Sequence, residues 1–255
     1  MAHSRWIVVF AALAVLSPTP SSAAPAAGGV DWRQFHGHPG HRGFNPLEQQ
    51  VGAGNVSSLG LTWIGNGATV GDDLVFKSSP TVVNGFVYFG TDRGQLLAFR
   101  DSCASSECDP VWRVDLGEAI YNTPALVGGI LYVGTASPLG KLYAFDVKAC
   151  RRGSCTPLWT GNVGVGESSP TVANGVVYVG SQFGGLYAFS AAGCLRATCD
   201  PLWVGQTGGD VNNSPAVSGG SVYVGGSDKK LYAFDATGCG HATCAPTWVG
   251  PVSAP

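Results

Sequence analysis

The sequence predicts an all-β fold, a β-propeller of four-stranded antiparallel blades. Four Cys-x₄-Cys pairs recur along its 255 residues, with their first members 44 to 47 residues apart. The strand and turn motifs around the pairs recur in the same order. A period near 45 residues with four strands is typical of a propeller blade. A β-sandwich also has short strands and glycine-rich turns, but it gives no reason for such a repeat.

Each repeat begins with a hairpin. A polar residue and a proline open the unit, and a short run of small or β-branched residues follows. A turn dipeptide then supplies the positive φ angles of a tight hairpin. The four dipeptides are Asn84-Gly85, Gly128-Gly129, Asn174-Gly175 and Gly219-Gly220.

The next motifs predict the other strands. Second strands read VYFG, LYVG, VYVG and VYVG, third strands read LLAF or LYAF, and both are rich in residues that favour sheets. The cysteine loop follows, and then a last strand at a tryptophan. We expect blades at about 78–116, 122–163, 168–207 and 213–250. The tryptophans are predicted to wedge between blades, at Trp63, Trp112, Trp159, Trp203 and Trp248.

The blade count predicts about four complete blades plus an N-terminal outer strand at Trp63. No first three strands precede that strand. The count leaves open a fragment of a larger propeller, an open arc, or an assembly in which two chains complete an otherwise incomplete ring. Open strand edges are templates for pairing, so we expect self-association.

The repeats SSPTVANGVVYVGSQFGGLYAFSAAGC and NSPAVSGGSVYVGGSDKKLYAFDATGC resemble those of the PQQ-like (quinoprotein-like) β-propeller family, in its secreted bacterial form. Residues 31–63 resemble the leader that precedes the first blade in such proteins, with Trp32 as its anchor. The family includes quinone-dependent dehydrogenases and a lipoprotein of the outer-membrane assembly machinery. The resemblance implies the fold more strongly than an activity, because propellers carry many functions.

The chain begins with a predicted signal peptide at 1–26. Arg5 precedes an apolar run at residues 6–16, and small residues follow it. We expect a leader at 27–60 and propeller repeats at 61–255. No segment is apolar for long enough to span a bilayer. No cysteine lies near the mature N-terminus, unlike in a lipoprotein, so we expect a soluble exported protein of the periplasm, cell envelope or extracellular space.

Export favours disulfides within each cysteine pair. The alternative, a four-thiolate zinc site, usually has shorter Cys-x₂₋₄-Cys spacing. A redox-active pair would usually be Cys-x-x-Cys, which is absent. We therefore expect four local structural cross-links, Cys103 to Cys108, Cys150 to Cys155, Cys194 to Cys199 and Cys239 to Cys244.

The enzyme alternative is a dehydrogenase, or the remnant of one, that uses PQQ with calcium. The resemblance implies eight blades and a disulfide between adjacent cysteines for such enzymes, and no two cysteines are adjacent here. We assign no catalytic, cofactor-binding or metal-binding residue. His36, His38 and His41 could chelate a metal, but the expected state is a solvated loop.

A binding surface is predicted where blades connect, because exposed loops on a rigid scaffold often carry recognition. The candidate ring consists of the residues three and two positions before each proline: Lys77 and Ser78, Tyr121 and Asn122, Glu167 and Ser168, Asn212 and Asn213. The alternative is that these side chains only cap strand ends. With a net charge of −2 and scattered Lys and Arg residues that form no basic stripe, we expect no nucleic-acid partner. The sequence predicts a non-catalytic binding or scaffold module for a protein, small-molecule or glycan partner.

Overall fold

The structure, a computed structural model, describes residues 31–46, 51–66, 77–153 and 155–252. The predicted signal peptide lies outside these ranges. Among the described residues, no helix is long and apolar enough to cross a membrane. Almost all regular structure is β, as the sequence predicts.

The strands follow the predicted order in every blade. Two 3₁₀ turns, Phe35–Gly37 and Val56–Ser58, precede β1 (Ile64–Gly65). The first blade contains β2 (Thr81–Val83), β3 (Phe86–Gly90), β4 (Gln95–Arg100), β5 (Glu107–Cys108) in its cysteine loop, and β6 (Trp112–Asp115). The second contains β7 (Ala125–Val127), β8 (Ile130–Gly134), β9 (Lys141–Asp146), a helix α1 (Val147–Arg151) in its cysteine loop, and β10 (Trp159–Asn162). The third contains β11 (Thr171–Ala173), β12 (Val176–Gly180), β13 (Leu186–Ser190), β14 (Thr198–Cys199) in its cysteine loop, and β15 (Trp203–Gly205). The fourth contains β16 (Ala216–Ser218), β17 (Ser221–Gly226), β18 (Lys230–Asp235), β19 (Thr243–Cys244) in its cysteine loop, and β20 (Trp248–Pro251).

Each blade is an antiparallel sheet of four sequential strands, which confirms the predicted fold class. In the third blade, Tyr178 lies opposite Ala188, and Ala188 lies opposite Trp203. The hairpin turns have the predicted geometry, because Asn174 and Gly175 have φ angles of 50° and 77°. Positive φ at both central residues gives the twist that a two-residue hairpin needs.

Neighbouring blades pack through aromatic rings. Trp203 of the third blade lies 6.1 Å from Phe234 of the fourth, measured between ring centroids, and is 4% exposed. Gly205, two residues later, leaves room for that phenylalanine, because a Cβ there would lie 2.6 Å from the ring. Trp159 contacts Phe189 in the same way at 6.0 Å. The predicted wedge between blades is therefore present at these junctions.

Buried tyrosines connect the same blades. The Tyr132 hydroxyl donates a hydrogen bond to the Ala191 carbonyl at 2.8 Å, and Tyr178 donates to Ala236 at 2.7 Å. Burial raises the pKa of both tyrosines to about 12. Each hydroxyl satisfies a carbonyl of the next blade while its ring fills the junction.

The prediction for Trp248 is wrong. Trp63, Trp112, Trp159 and Trp203 are buried, but Trp248 is 52% exposed. No blade among the described residues lies beyond the fourth one to cover it. Its ring instead lies over its own strand, and a Cβ at Gly250 would be 2.2 Å from the indole.

The cysteine loops form the four predicted disulfides, each closed within its own blade. Three of these loops also reach the preceding outer strand. β14 pairs in parallel with β10, and β19 pairs in the same way with β15. β1 pairs with β5 in the same register, so β1 takes the place of an outer strand before the first blade.

The second cysteine loop contains the helix α1, which the sequence did not predict. The Asp146 side chain caps the helix by accepting hydrogen bonds from the Lys148 and Ala149 backbone amides. Ala149 stands where the third loop has Gly193. A Cβ at Gly193 would lie 2.5 Å from the Trp159 ring, so glycine permits the close approach of the third loop to the preceding blade.

The leader runs across the innermost strands of all four blades. Trp32 forms an antiparallel bridge with Val82, so it anchors the leader as predicted. Gln34 is 3% exposed. The central residue of each innermost strand donates its backbone N–H to a leader oxygen: Val82 to the Trp32 carbonyl at 3.0 Å, Leu126 to the Arg33 carbonyl at 2.7 Å, Val172 to Gln34 Oε1 at 2.9 Å, and Val217 to the Pro39 carbonyl at 2.8 Å. The leader thus satisfies inner edges that the blades leave unpaired.

Candidate binding surface

The propeller presents two distinct faces. Loops between second and third strands contact the connections between blades, since Ile120 donates to the Thr91 carbonyl and Val211 to the Ser181 carbonyl, both at 2.8 Å. We call this side the connector face. The cysteine loops contact the hairpin turns on the other side, where Ala191 donates to Gly175. The disulfides therefore lie opposite the connector face.

Half of the predicted ring caps strand ends. Asn122 donates through Nδ2 to the Gly134 carbonyl at 2.9 Å and accepts from the Gly134 amide at 3.0 Å. Ser168 accepts from the Gly180 amide at 2.8 Å. Ser78 and Asn213 make the equivalent contacts with Gly90 and Gly225. These four residues therefore cap strand ends, which is the alternative that the sequence left open for the ring.

The other half converges on the connector face. Lys77 Nζ lies 3.2 Å from Glu167 Oε1 and 4.4 Å from the centroid of the Tyr121 ring. Asn212 Oδ1 approaches Gly166, beside Glu167, where a Cβ would lie 2.5 Å from it. We call Lys77, Tyr121, Glu167 and Asn212 the mouth cluster. The Lys77 and Glu167 side chains are 49% and 57% exposed, so solvent reaches their charges.

A polar network holds the loops beside the mouth cluster. The hydroxyls of Thr135 and Ser137 donate to Glu118 at 2.8 and 2.6 Å. Gln182 Nε2 donates to the Ser137 carbonyl at 2.6 Å, which joins the third blade to the second. The sequence prediction missed Glu118 and Gln182 because it considered only residues that precede a proline. The hydrogen bonds of Glu118 and Gln182 hold these loops in place, which is a structural role.

Two large apolar side chains stand out from the same loops. Leu139 is 80% exposed and Phe183 is 63% exposed. The Phe183 ring lies against Gly164, where a Cβ would be 2.7 Å from it. Neither residue was a sequence candidate, since a loop apolar residue carries no repeat signal. The connector face therefore combines charged groups of both signs, amide groups and exposed apolar surface.

A carboxylate in the fourth blade remains charged. The Tyr232 hydroxyl donates to Asp228 and accepts from the Gly208 amide at 2.8 Å. The hydrogen bond from Tyr232, with further help from Lys230, lowers the pKa of Asp228. A carboxylate with a lowered pKa is a poor general acid or base near neutral pH.

The leader histidines lie against the inner strands. The His36 and His41 rings are 5.9 Å apart, and His41 Nε2 lies 3.2 Å from Thr171 Oγ1. His36 and His38 are exposed, as expected of a solvated loop, but His41 is half-buried. Burial lowers the pKa of His41 from 6.5 to about 4, and the nearby charges of His36 and His38 act in the same direction.

This shift predicts acid sensitivity. The unfolded chain protonates His41 near pH 6.5, whereas the folded chain resists protonation down to about pH 4. The contribution of neutral His41 to stability is therefore complete above pH 6.5 and is lost as the pH falls from 6.5 to 4. Urea unfolding at pH 7 and pH 4.5 should show a smaller loss of stability for His41→Asn than for the unsubstituted protein. Asparagine suits the φ of 50° at this position. Equal losses in both proteins would contradict the assignment.

The described residues do not fit a calcium-quinone site. They contain no group of three or more His, Cys, Asp or Glu side chains arranged to hold a metal ion. Their disulfides join cysteines five positions apart and lie opposite the connector face. We derive no reaction step through a quinone.

Comparison with known proteins supports the repeat assignment. A family described as outer membrane protein assembly factor BamB matches residues 144–239. BamB from Moraxella catarrhalis has a similar structure, with a TM-score of 0.56 and 18% identity over 76% of this chain and 56% of that one. No curated protein sequence matches the chain.

Two enzymes have the same fold. A quinohemoprotein alcohol dehydrogenase from Pseudomonas putida HK5 gives a TM-score of 0.65 at 18% identity, covering 88% of this chain and 40% of the enzyme. The enzyme of that class from Comamonas testosteroni gives 0.63 at 18% identity, covering 89% and 42%. The chain thus matches about half or less of the length of these structures, and identities this low show the fold alone. The four blades and their repeated motifs are thus similar to those of the PQQ-like β-propeller family, whose model matches residues 144–239 and whose fold the two alcohol dehydrogenases share.

Proposed function

We propose that the chain is an exported, non-catalytic binding module that holds a protein partner on its connector face. The observation that carries this proposal is the mouth cluster, together with Leu139 and Phe183, on loops fixed by the Glu118 network. Rigid loops lose little conformational entropy on binding, which favours recognition.

The chemistry of this face favours a protein over the other partner classes. Within the mouth cluster, Lys77 and Glu167 offer one charge of each sign, so the cluster suits neither a phosphate backbone nor a purely anionic ligand. An exposed aromatic ring beside polar groups is typical of the centre of a protein interface. The fully satisfied Glu118 and the charged Asp228 supply no obvious acid or base for catalysis.

The cell envelope is the proposed location. Four disulfides are typical of an oxidising compartment, which suits the signal peptide proposed at 1–26. The matched family is described as an outer membrane assembly factor. An envelope protein is therefore the partner we would seek first.

The test is partner capture with matched variants. Residues 27–255 would be cross-linked to envelope proteins of the source cell, and the captured protein would be identified and its affinity measured. Phe183→Ser should weaken binding about tenfold, the size expected of a hot-spot residue. Leu195→Asn is the control, because Leu195 is fully exposed in a cysteine loop and its φ of 61° suits asparagine. Equal binding by Phe183→Ser and the unsubstituted protein would contradict the proposal.

A quinone-dependent dehydrogenase is the second candidate, and the TM-scores of 0.65 and 0.63 to the alcohol dehydrogenases favour it. Incubation with PQQ and calcium, followed by a dye-linked alcohol dehydrogenase assay, separates the two functions. We expect no turnover. Turnover that depends on the quinone would replace the binding module with the enzyme.

A further inference from the structure

The outer end of the fourth blade carries an apolar surface. Tyr223, Trp248, Val249 and Val252 are 37%, 52%, 42% and 55% exposed. Single exposed apolar side chains are ordinary, but a group on one sheet end marks an interaction site. We call these four residues the end face.

The positions of Tyr223 and Trp248 are buried in the preceding blade. Tyr178 is 1% exposed and donates to a carbonyl of the fourth blade, and Trp203 is 4% exposed against Phe234. The chain therefore shows what covers such a face. The cover is another blade, with a phenylalanine on its third strand and a cysteine loop beside the outer strand.

Trp248 fills part of the space that such a blade would occupy. In the third blade, the ring nearest to Gly205 is Phe234 of the next blade, at 2.6 Å from an added Cβ. In the fourth blade, the Trp248 ring itself lies over the equivalent Gly250. A docked blade would thus turn this tryptophan outward from its own strand.

The first blade has a binding site for a strand like β20. β1 belongs to the sequence TWIG, and β20 to the closely similar TWVG. β1 pairs with β5, and the Trp63 ring lies 6.1 Å from Phe99. Trp63 Nε1 also donates to the Asp101 carbonyl at 3.1 Å. The first blade therefore already binds a Trp-x-Gly strand in the geometry of a blade junction.

We propose that the end face of one copy docks on the first blade of a second copy, where β20 takes the place of β1. Val249 then pairs with Glu107 of the second copy, Gly250 pairs with Cys108, and Trp248 covers Phe99. A whole blade covers more of the first blade than the two-residue β1, which offsets the loss of the local contact. Because the contact joins two different faces, two copies can satisfy each other and close a ring.

The first test is the oligomeric state of residues 27–255 with disulfides intact. Sedimentation and light scattering from about 1 to 100 µM should show reversible dimerisation, in the range of transient interfaces. Trp248→Ser should weaken it at least about tenfold. Leu139→Ser, on the connector face, is the control and should leave it unchanged. A monomer throughout, or a dimer insensitive to Trp248→Ser, would overturn the proposal.

The second test locates the contact. A photo-reactive amino acid at position 249, in a mixture of isotopically light and heavy copies, should cross-link between copies to residues 99–113. Cross-links to the connector face would overturn the proposal. Trp63→Ser, with the fold checked by circular dichroism, should strengthen dimerisation, because the variant weakens the strand that competes for the site. Unchanged or weaker dimerisation would rule out the exchange of β1 for β20.

Discussion

Replacement of Trp203 by alanine is expected to lower the free energy of unfolding by about 3 to 5 kcal/mol, the cost of emptying a buried aromatic site. The Trp203 ring is 4% exposed and lies 6.1 Å from both Tyr178 and Phe234. Gly238 of the next cysteine loop also approaches it, at 2.6 Å from an added Cβ. Three elements from two blades would have to move together to fill the cavity. We therefore expect structural relaxation to recover little of the lost stability. Denaturant unfolding followed by circular dichroism measures it.

The chain provides a matched control. Trp248 occupies the same position of the repeat, but it is 52% exposed. Trp248→Ala should therefore change stability by less than about 1 kcal/mol when it is measured on dilute monomer. If the two substitutions had equal effects, tryptophan would contribute through its own strand, and the wedge between blades would not explain the repeat.

The repeat made the fold predictable. Local signals coincide in each unit: the Asn-Gly or Gly-Gly turn fixes a hairpin, the Tyr-x-Gly strand alternates, and the cysteine pair closes a loop. The same repeat could not distinguish Trp203 from Trp248. Their local sequences are equivalent, and their burial depends on whether a further blade is packed against them.

The mouth cluster could be predicted only in part. The sequence selected the residues three and two positions before each proline, but it could not say which member of the pair faces the solvent. Successive residues of an extended segment point in opposite directions. Ser168 therefore points to the Gly180 amide of its own blade, whereas Glu167 points to Lys77 on the connector face.

The path of the leader had no sequence signal beyond the resemblance. Three of the four backbone amides that the inner strands donate to the leader are accepted by backbone carbonyls, which every residue possesses. The side chains that take part are Gln34, through Oε1 to the Val172 amide, and His41, through Nε2 to the Thr171 hydroxyl. The helix α1 also had no distinguishing sequence signal, because the fourth loop has Asp235 at the position of Asp146 and the first loop has Ser102, not glycine, before its first cysteine. Both of those loops contain a short strand instead of a helix.

Reduction of the four disulfides is expected to lower the free energy of unfolding by about 2 kcal/mol for each bridge, from loop entropy. The bridged residues are five positions apart in every pair, so each closed loop is short and the four contributions should be similar. Denaturant unfolding with and without a reductant measures the sum. A loss confined to about 2 kcal/mol in total would mean that only one bridge constrains the unfolded chain.

Removal of single bridges tests whether the loops also join blades. Cys194→Ser combined with Cys199→Ser frees the loop that pairs with β10, where the Thr160 amide donates to the Ala197 carbonyl at 2.8 Å. Hydrogen exchange at Thr160, in the preceding blade, should therefore accelerate. Cys150→Ser combined with Cys155→Ser is the control, because α1 replaces the paired strand in that loop and β6 gains no parallel partner from it. Exchange in β6 should stay unchanged. Equal changes of hydrogen exchange in the preceding outer strand of both double variants would contradict this prediction. The bridges would then act only within their own loops, and the parallel pairing would contribute nothing to the junction between blades.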